Sequence, residues 1–218
     1  MKKIYLHPLP LRIWHWVNAF LGITLLVTGI QLRLPGIASL QPHNAPLLVH
    51  RYVGWAMAAS FVFWLVYSLT SRHLSRQYGI HGRDLQGIFR QSKFYLVSIF
   101  KGEDNPFQPT PDGKFNPLQK LAYGVIMGIF TPLLVITGVL LNDKLFFREY
   151  ILRWDVVGVL DALHVMGAYV FALYLVVHIY MATLGRTAAS HIRAMIVGYE
   201  EEPDEPAPSL PSSLEGEG

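Results

Sequence analysis

Four histidines, His15, His50, His164 and His178, fall inside or at the ends of long uncharged stretches. Imidazole in a hydrocarbon setting is costly unless it has a partner, so each of the four asks for one. For any one of them alone, a hydrogen-bonded core histidine would suffice. His164 and His178 change the problem, because they lie 14 residues apart in one stretch. In a helix that spacing is just under four turns, so both rings share roughly one face, about 21 Å apart along the axis. Ligands so separated cannot converge on one zinc ion, which wants four donors at about 2.0–2.3 Å. They can serve two separate iron centres instead. Bis-histidine haem uses two imidazoles per iron, and such six-coordinate sites favour electron transfer over oxygen binding.

The elements that must position these rings are visible in the charge pattern. Residues 13–32, 52–71, 121–142 and 162–185 form four runs, each of 20 or more residues and free of Asp, Glu, Lys and Arg. A helix needs about 20 apolar residues to cross a hydrocarbon core of about 30 Å, and helix is the open-ended structure that satisfies its own backbone there. Hydrophobic residues make up 52% of the chain and charged residues 15%, against about 25% charged in an ordinary soluble domain. The expected fold is therefore all-α: an integral membrane four-helix bundle with spans at about 12–33, 49–71, 117–142 and 158–185. Pro132 is expected to kink the third span, and Gly124 and Gly128 to allow close packing beside it.

The long connection between the second and third spans holds an apolar patch, residues 94–100, bordered by Arg90, Lys93 and Lys101. It is too short to span, so an additional interfacial amphipathic helix is expected at about 84–101, on the cytoplasmic side. From Tyr199 the chain turns Glu- and Pro-rich, which reads as a disordered tail, 199–218, after a membrane domain of 1–198. No convincing repeat emerges.

Charge sets the orientation. The net charge is +3, but residues 199–218 carry seven acidic and no basic groups, leaving +10 on the rest. Lys2, Lys3 and Arg12, the long connection, and Arg186 with Arg193 hold most of the basic groups. That excess points to a multi-pass protein with both termini in the cytoplasm, and not to nucleic acid. Depth then sorts the histidines into two pairs. His15 and His178 lie near the inner surface, His50 and His164 near the outer one, and each pair joins two helices. With no cysteine in the chain, disulfides, iron–sulfur clusters, thiolate ligation and c-type haem are excluded.

The remaining candidates have readings of both kinds. His7, His43, His73, His81 and His191 look like loop or interface residues, with His73 the main rival for an inner ligand. Arg12 and Arg51 flank the candidate ligands His15 and His50, where they could meet haem propionates or set topology. Asp161 could support His164 or sit at the outer surface. Gly54 and Gly167 could admit a flat macrocycle or pack helices. Asn116 before Pro117 has the form of a helix N-cap.

With these residues in hand, the chain resembles the membrane di-haem cytochrome b subunits of the prokaryotic cytochrome b561 group, of the formate dehydrogenase, nickel–iron hydrogenase and thiosulfate reductase type. The carriers are Arg12-Ile13-Trp14-His15-Trp16, His50 opening the second helix, Gly113-Lys114-Phe115-Asn116-Pro117-Leu118-Gln119-Lys120, and the spaced His164 and His178. The resemblance implies two haem b groups in a bacterial inner membrane. It also implies iron–sulfur and catalytic partner subunits docked outside, and a quinone site by the inner haem involving Asn116, Gln119 and His178. The expected role is a quinone-linked electron-transfer subunit with no catalytic residue of its own. Two other readings remain: a cofactor-free transporter or anchor with proton-relaying histidines, and a stand-alone di-haem oxidoreductase.

Overall fold

The computed structural model describes residues 2–34, 45–71, 82–103, 105–107, 115–142, 156–185 and 187–202. Four helical segments are long and apolar enough to cross a membrane: α1 (Leu9–Arg33), α2 (Ala45–Thr70), a third span (Pro117–Asn142) and α6 (Val156–Ala182). Few of their apolar side chains are buried, and many are exposed, among them Phe20, Tyr169, Leu173 and Val176. In water that surface would be ruinous, whereas in lipid it faces its own solvent.

All four spans begin earlier than the uncharged runs do, and three of them open with a proline. Pro10, Pro46 and Pro117 sit in the first turns of α1, α2 and the third span, where a missing N–H costs nothing because that donor would be unpaired anyway. His50 therefore lies in the second turn of α2 and does not open the helix.

The expected irregularity at Pro132 is real but displaced. The third span consists of α4 (Pro117–Val125), a π turn (Ile126–Phe130) and α5 (Thr131–Asn142). Pro132 cannot donate to the carbonyl one turn back, and its ring crowds that carbonyl. The strain is taken up just before it, where the Thr131 N–H reaches the carbonyl of Ile126, five residues back. Gly124 and Gly128 do not pack against a neighbouring helix: a Cβ at either would meet nothing within 4 Å. They line an apolar pocket of about 200 Å³ with Phe61, Trp64, Leu65, Tyr123, Met127 and Pro132.

The amphipathic segment forms as α3 (Gly82–Leu96) followed by a 3₁₀ turn (Ser98–Lys101), which ends at Gly102 with φ 73°. Leu85, Phe89, Leu96 and Phe100 are exposed, while Gln91, Phe94 and Ser98 are buried on the other face. This is the geometry of an interfacial helix. It is fastened to the third span by an ion pair between Asp84 and Lys120 at 3.5 Å, with both side chains largely buried.

The expected disordered tail starts differently. Tyr199–Glu202 forms β2, antiparallel to β1 (Lys2–Tyr5), with Lys2 opposite Glu202 and Lys3 opposite Glu201. The pairing is invisible when the acidic run is read alone, because its partner strand is distant in sequence. A short helix, α7 (Ser190–Val197), leads into β2 and ends at Gly198 with φ 93°. The Gly198 carbonyl accepts from the backbone N–H groups of Leu6 and His7. Both described ends of the chain thus meet at one end of the bundle. The rest of the tail, His43, His73, His81, Arg72, Arg76, Gly113, Lys114 and Arg186 lie outside the described residues.

Candidate functional site

The four intramembrane histidines meet as the depth argument requires. The rings of His15 (α1) and His178 (α6) have centres 6.1 Å apart, and those of His50 (α2) and His164 (α6) 6.2 Å. Two imidazoles that approach one metal ion from opposite sides at about 2.0 Å place their ring centres roughly 6 Å apart. Among the described residues no third His, Asp or Glu converges with either pair. Two facing imidazoles without further ligands suit the axial positions of a planar macrocycle.

The pair at the far end from the termini is held by threonines. Thr28 Oγ1 lies 2.8 Å from His50 Nδ1, and Thr137 Oγ1 lies 2.9 Å from His164 Nδ1. Each hydroxyl also donates to the carbonyl four residues back, Thr24 at 2.8 Å and Leu133 at 2.6 Å. A hydroxyl has one proton, so toward the ring it accepts, and Nδ1 carries the hydrogen. That leaves Nε2 with its lone pair free, the form in which an imidazole binds metal. Gly29 and Gly138 follow the two threonines, and a Cβ there would come within 3.5 Å and 3.2 Å of Cε1 of His50 and His164. Thr28-Gly29 and Thr137-Gly138 recur in the matching strings Val27-Thr28-Gly29-Ile30 and Ile136-Thr137-Gly138-Val139. This is the repeat that reading for charge and histidine overlooked. Comparing the first span with the third would have found it.

The pair at the termini end is built otherwise. His15 Nδ1 is buried without a hydrogen-bond partner. The His178 ring stacks on Tyr174, with centres 5.6 Å apart and planes at 23°, and meets Tyr123 edge-on at 6.3 Å. Trp16 meets His15 edge-on at 5.2 Å and donates from Nε1 to the Met195 carbonyl at 3.3 Å. Trp14 and Trp16 are thus structural contacts, Trp14 donating to the Ser60 carbonyl of α2 at 3.1 Å.

The other candidates divide. Arg12 donates from Nη1 to the Ile196 carbonyl, and its buried Nε has no partner. An anionic carboxylate one turn from His15 would satisfy that orphan donor. Arg51 is exposed. Asp161 pairs with Arg33 at 3.3 Å, joining α1 and α6 at the far end. Gly54 faces open space, as a macrocycle would need, whereas Gly167 packs on Leu134. His191 and Glu200 form an ion pair at 3.3 Å in the clasp, and their hydrogen bond raises the His191 pKa and lowers that of Glu200.

Asn116 and Gln119 are a capping box. Asn116 Oδ1 accepts from the Gln119 N–H at 2.8 Å, and Gln119 Oε1 accepts from the Asn116 N–H at 3.1 Å. Asn116 Nδ2 donates to the Tyr95 hydroxyl at 3.2 Å, so the cap also docks α3. Burial pushes the Tyr95 phenol up, against hydrogen bonds with Gln91, Asn116 and Asn105. The cap's neighbour Phe115 touches Tyr123 at 4.9 Å, and Tyr123 reaches His178.

A family model described as prokaryotic cytochrome b561 matches residues 6–198. Among curated proteins, cytochrome YdhU of Escherichia coli (strain K12) is 31% identical over 208 residues, covering 91% of this chain and 75% of the relative. A protein of Bradyrhizobium diazoefficiens named as a Ni/Fe-hydrogenase B-type cytochrome subunit is 25% identical, covering 82% of this chain and 77% of its own. One of the same name from Rhizobium leguminosarum bv. viciae is 24% identical, covering 83% and 81%.

Proposed function

The chain belongs to the prokaryotic cytochrome b561 family, and from that premise we propose a membrane electron-transfer subunit that holds two b-type haems and works between a partner redox enzyme and membrane quinone. The observation that carries the reading is the pair of facing imidazole sets, 6.1 Å and 6.2 Å apart, that share α6 and lie about 21 Å apart along it. Haem b, when bound, supplies reversible one-electron exchange at iron.

The chain's own residues supply everything else. His15 with His178, and His50 with His164, would hold the two haem irons. α6 fixes the spacing of the two sites, and the surrounding apolar side chains exclude water. Arg12 is the donor for a propionate at the termini end. Hydrogenase-like relatives support a hydrogenase-type partner, with formate dehydrogenase and thiosulfate reductase types as kindred options. The basic excess supports cytoplasmic termini in a bacterial inner membrane, with the partner on the outer face.

Quinone meets the inner site near Asn116. The apolar pocket between α2 and the third span is lined by Tyr123, which touches the inner ligand His178, and suits a lipid-soluble ring entering from the bilayer. Asn116 and Gln119 have much of their polarity engaged in the cap and in the bond to Tyr95, so their part is to hold this surface in place.

Purified full-length protein should contain two haems per chain with a b-type reduced spectrum, and should co-purify with an iron–sulfur subunit. Addition of a quinone analogue should perturb the inner component alone. A colourless protein that moves a solute in vesicles would establish the cofactor-free relay in its place.

A further inference from the structure

The two sites share their ligand chemistry but not the groups behind the ligands. At the outer site both rings hydrogen-bond a buried threonine through Nδ1, with Thr28 6% and Thr137 2% exposed. Each hydroxyl is spent on its own helix, on the carbonyls of Thr24 and Leu133, which leaves it an acceptor toward the ring and assigns the proton to the ring nitrogen. The arrangement occurs twice, on different helix pairs, from two copies of one short string. At the inner site, His15 Nδ1 is buried without an acceptor and His178 is flanked by aromatic faces.

An acceptor on the far nitrogen draws the N–H proton away from the ring and makes the other nitrogen a stronger donor to metal. A stronger donor stabilises the more positive iron. We infer that Thr28 and Thr137 are positioning residues that lock His50 and His164 as Nδ1–H tautomers, strengthen them as ligands, and so give the outer site the lower reduction potential of the two. With haem bound at both sites, an electron handed in at the outer end would run downhill to the inner one, with no proton or bond exchanged. This rests on the two-haem reading and adds a direction to it.

The test is a potentiometric titration of the full-length, haem-loaded protein, with the haem content and low-temperature EPR spectrum of each variant. The outer component is identified as the one lost in His164→Ala. In the parent it titrates lower. Thr28→Val and Thr137→Val keep the shape and remove the acceptor. Each should raise the outer component severalfold in its reduced-to-oxidised ratio at fixed potential. The double variant should reach about tenfold, which is 59 mV for a one-electron couple. Thr28→Ser and Thr137→Ser restore the parent value.

If the valine variants shed the outer haem while the serine variants retain it with the parent potential, the positioning role of the hydroxyl stands. Haem retained with an unmoved outer component, a shift in the inner component instead, or serine variants that behave as valine ones would overturn the inference and leave the ligand assignment intact. Unchanged haem content and titration in His164→Ala would overturn the ligand assignment itself.

Discussion

The two histidine pairs, proposed as outer (His50 with His164) and inner (His15 with His178), present the same separation by different means. The outer pair is held by neighbours close in sequence: Thr28 serves His50 across 22 residues, and Thr137 serves His164 across 27. The inner pair leans on contacts between the chain's two ends, with Trp16 and Arg12 bonded to carbonyls of α7 that lie 179 and 184 residues away. Matching ring separations can thus come from a local device repeated in each half of the bundle, or from closure of the whole chain. The local device fixes a tautomer with hydrogen bonds. The closure leaves a buried ring nitrogen unpaired, at a cost of about 1–3 kcal/mol, and surrounds the site with aromatic rings.

The largest break in this comparison comes from the ligands. His164→Ala should abolish the outer haem component and His178→Ala the inner one, each leaving about half the haem in the pyridine haemochrome assay. Parent-like content in both variants would refute the pairing.

A smaller effect separates the two glycine contacts of the outer site. Gly138→Ala puts a methyl 3.2 Å from His164 Cε1, tighter than the site accepts without movement, and should broaden or shift the outer EPR signal. Gly29→Ala, at 3.5 Å from His50 Cε1, is an ordinary contact and should leave that signal in place.

The end of the bundle that carries the strand clasp should respond to pH. The hydrogen bond with Glu200 raises the His191 pKa from 6.5, so the stabilisation from His191 is full below 6.5 and lost as pH rises through the raised value. The Glu200 pKa is lowered from 4.5, so its contribution is full above 4.5 and lost as pH falls through the lowered value. The strand clasp should be tightest between pH 4.5 and 6.5. Spin labels on β1 and β2 should report growing separation on either side of that window, and Glu200→Gln should flatten the response. Both side chains are partly exposed, so the effect on overall stability is small.

The smallest expected change is at Arg33–Asp161, where the side chains are 60% and 48% exposed. Arg33→Gln should cost less than about 1 kcal/mol in thermal unfolding and move neither haem component.

The spans and the histidine pairs were legible because lipid imposes length and freedom from charge on a helix, and because 14 residues on one helix has one geometric meaning. The amphipathic helix was legible for the same reason, though Val97 interrupts it before the 3₁₀ turn. The threonines were not, since a hydroxyl in a membrane helix usually bonds its own backbone, and its second partner depends on which helix packs beside it. The clasp escaped because strand pairing between residues 2–5 and 199–202 has no local signature. Asn116 was readable as a cap from Asn-Pro and Gln119, whereas its bond to Tyr95 required the docking of α3.

On the two-haem reading, one ligand of each site lies on α6, which follows the other three described spans in the chain. During translation His15 and His50 would then enter the bilayer with no counterpart, and neither proposed site would be complete until α6 has left the ribosome. Cofactor capture would come late, for both sites at once. A premature stop before Val156 should forfeit both groups together, not one alone.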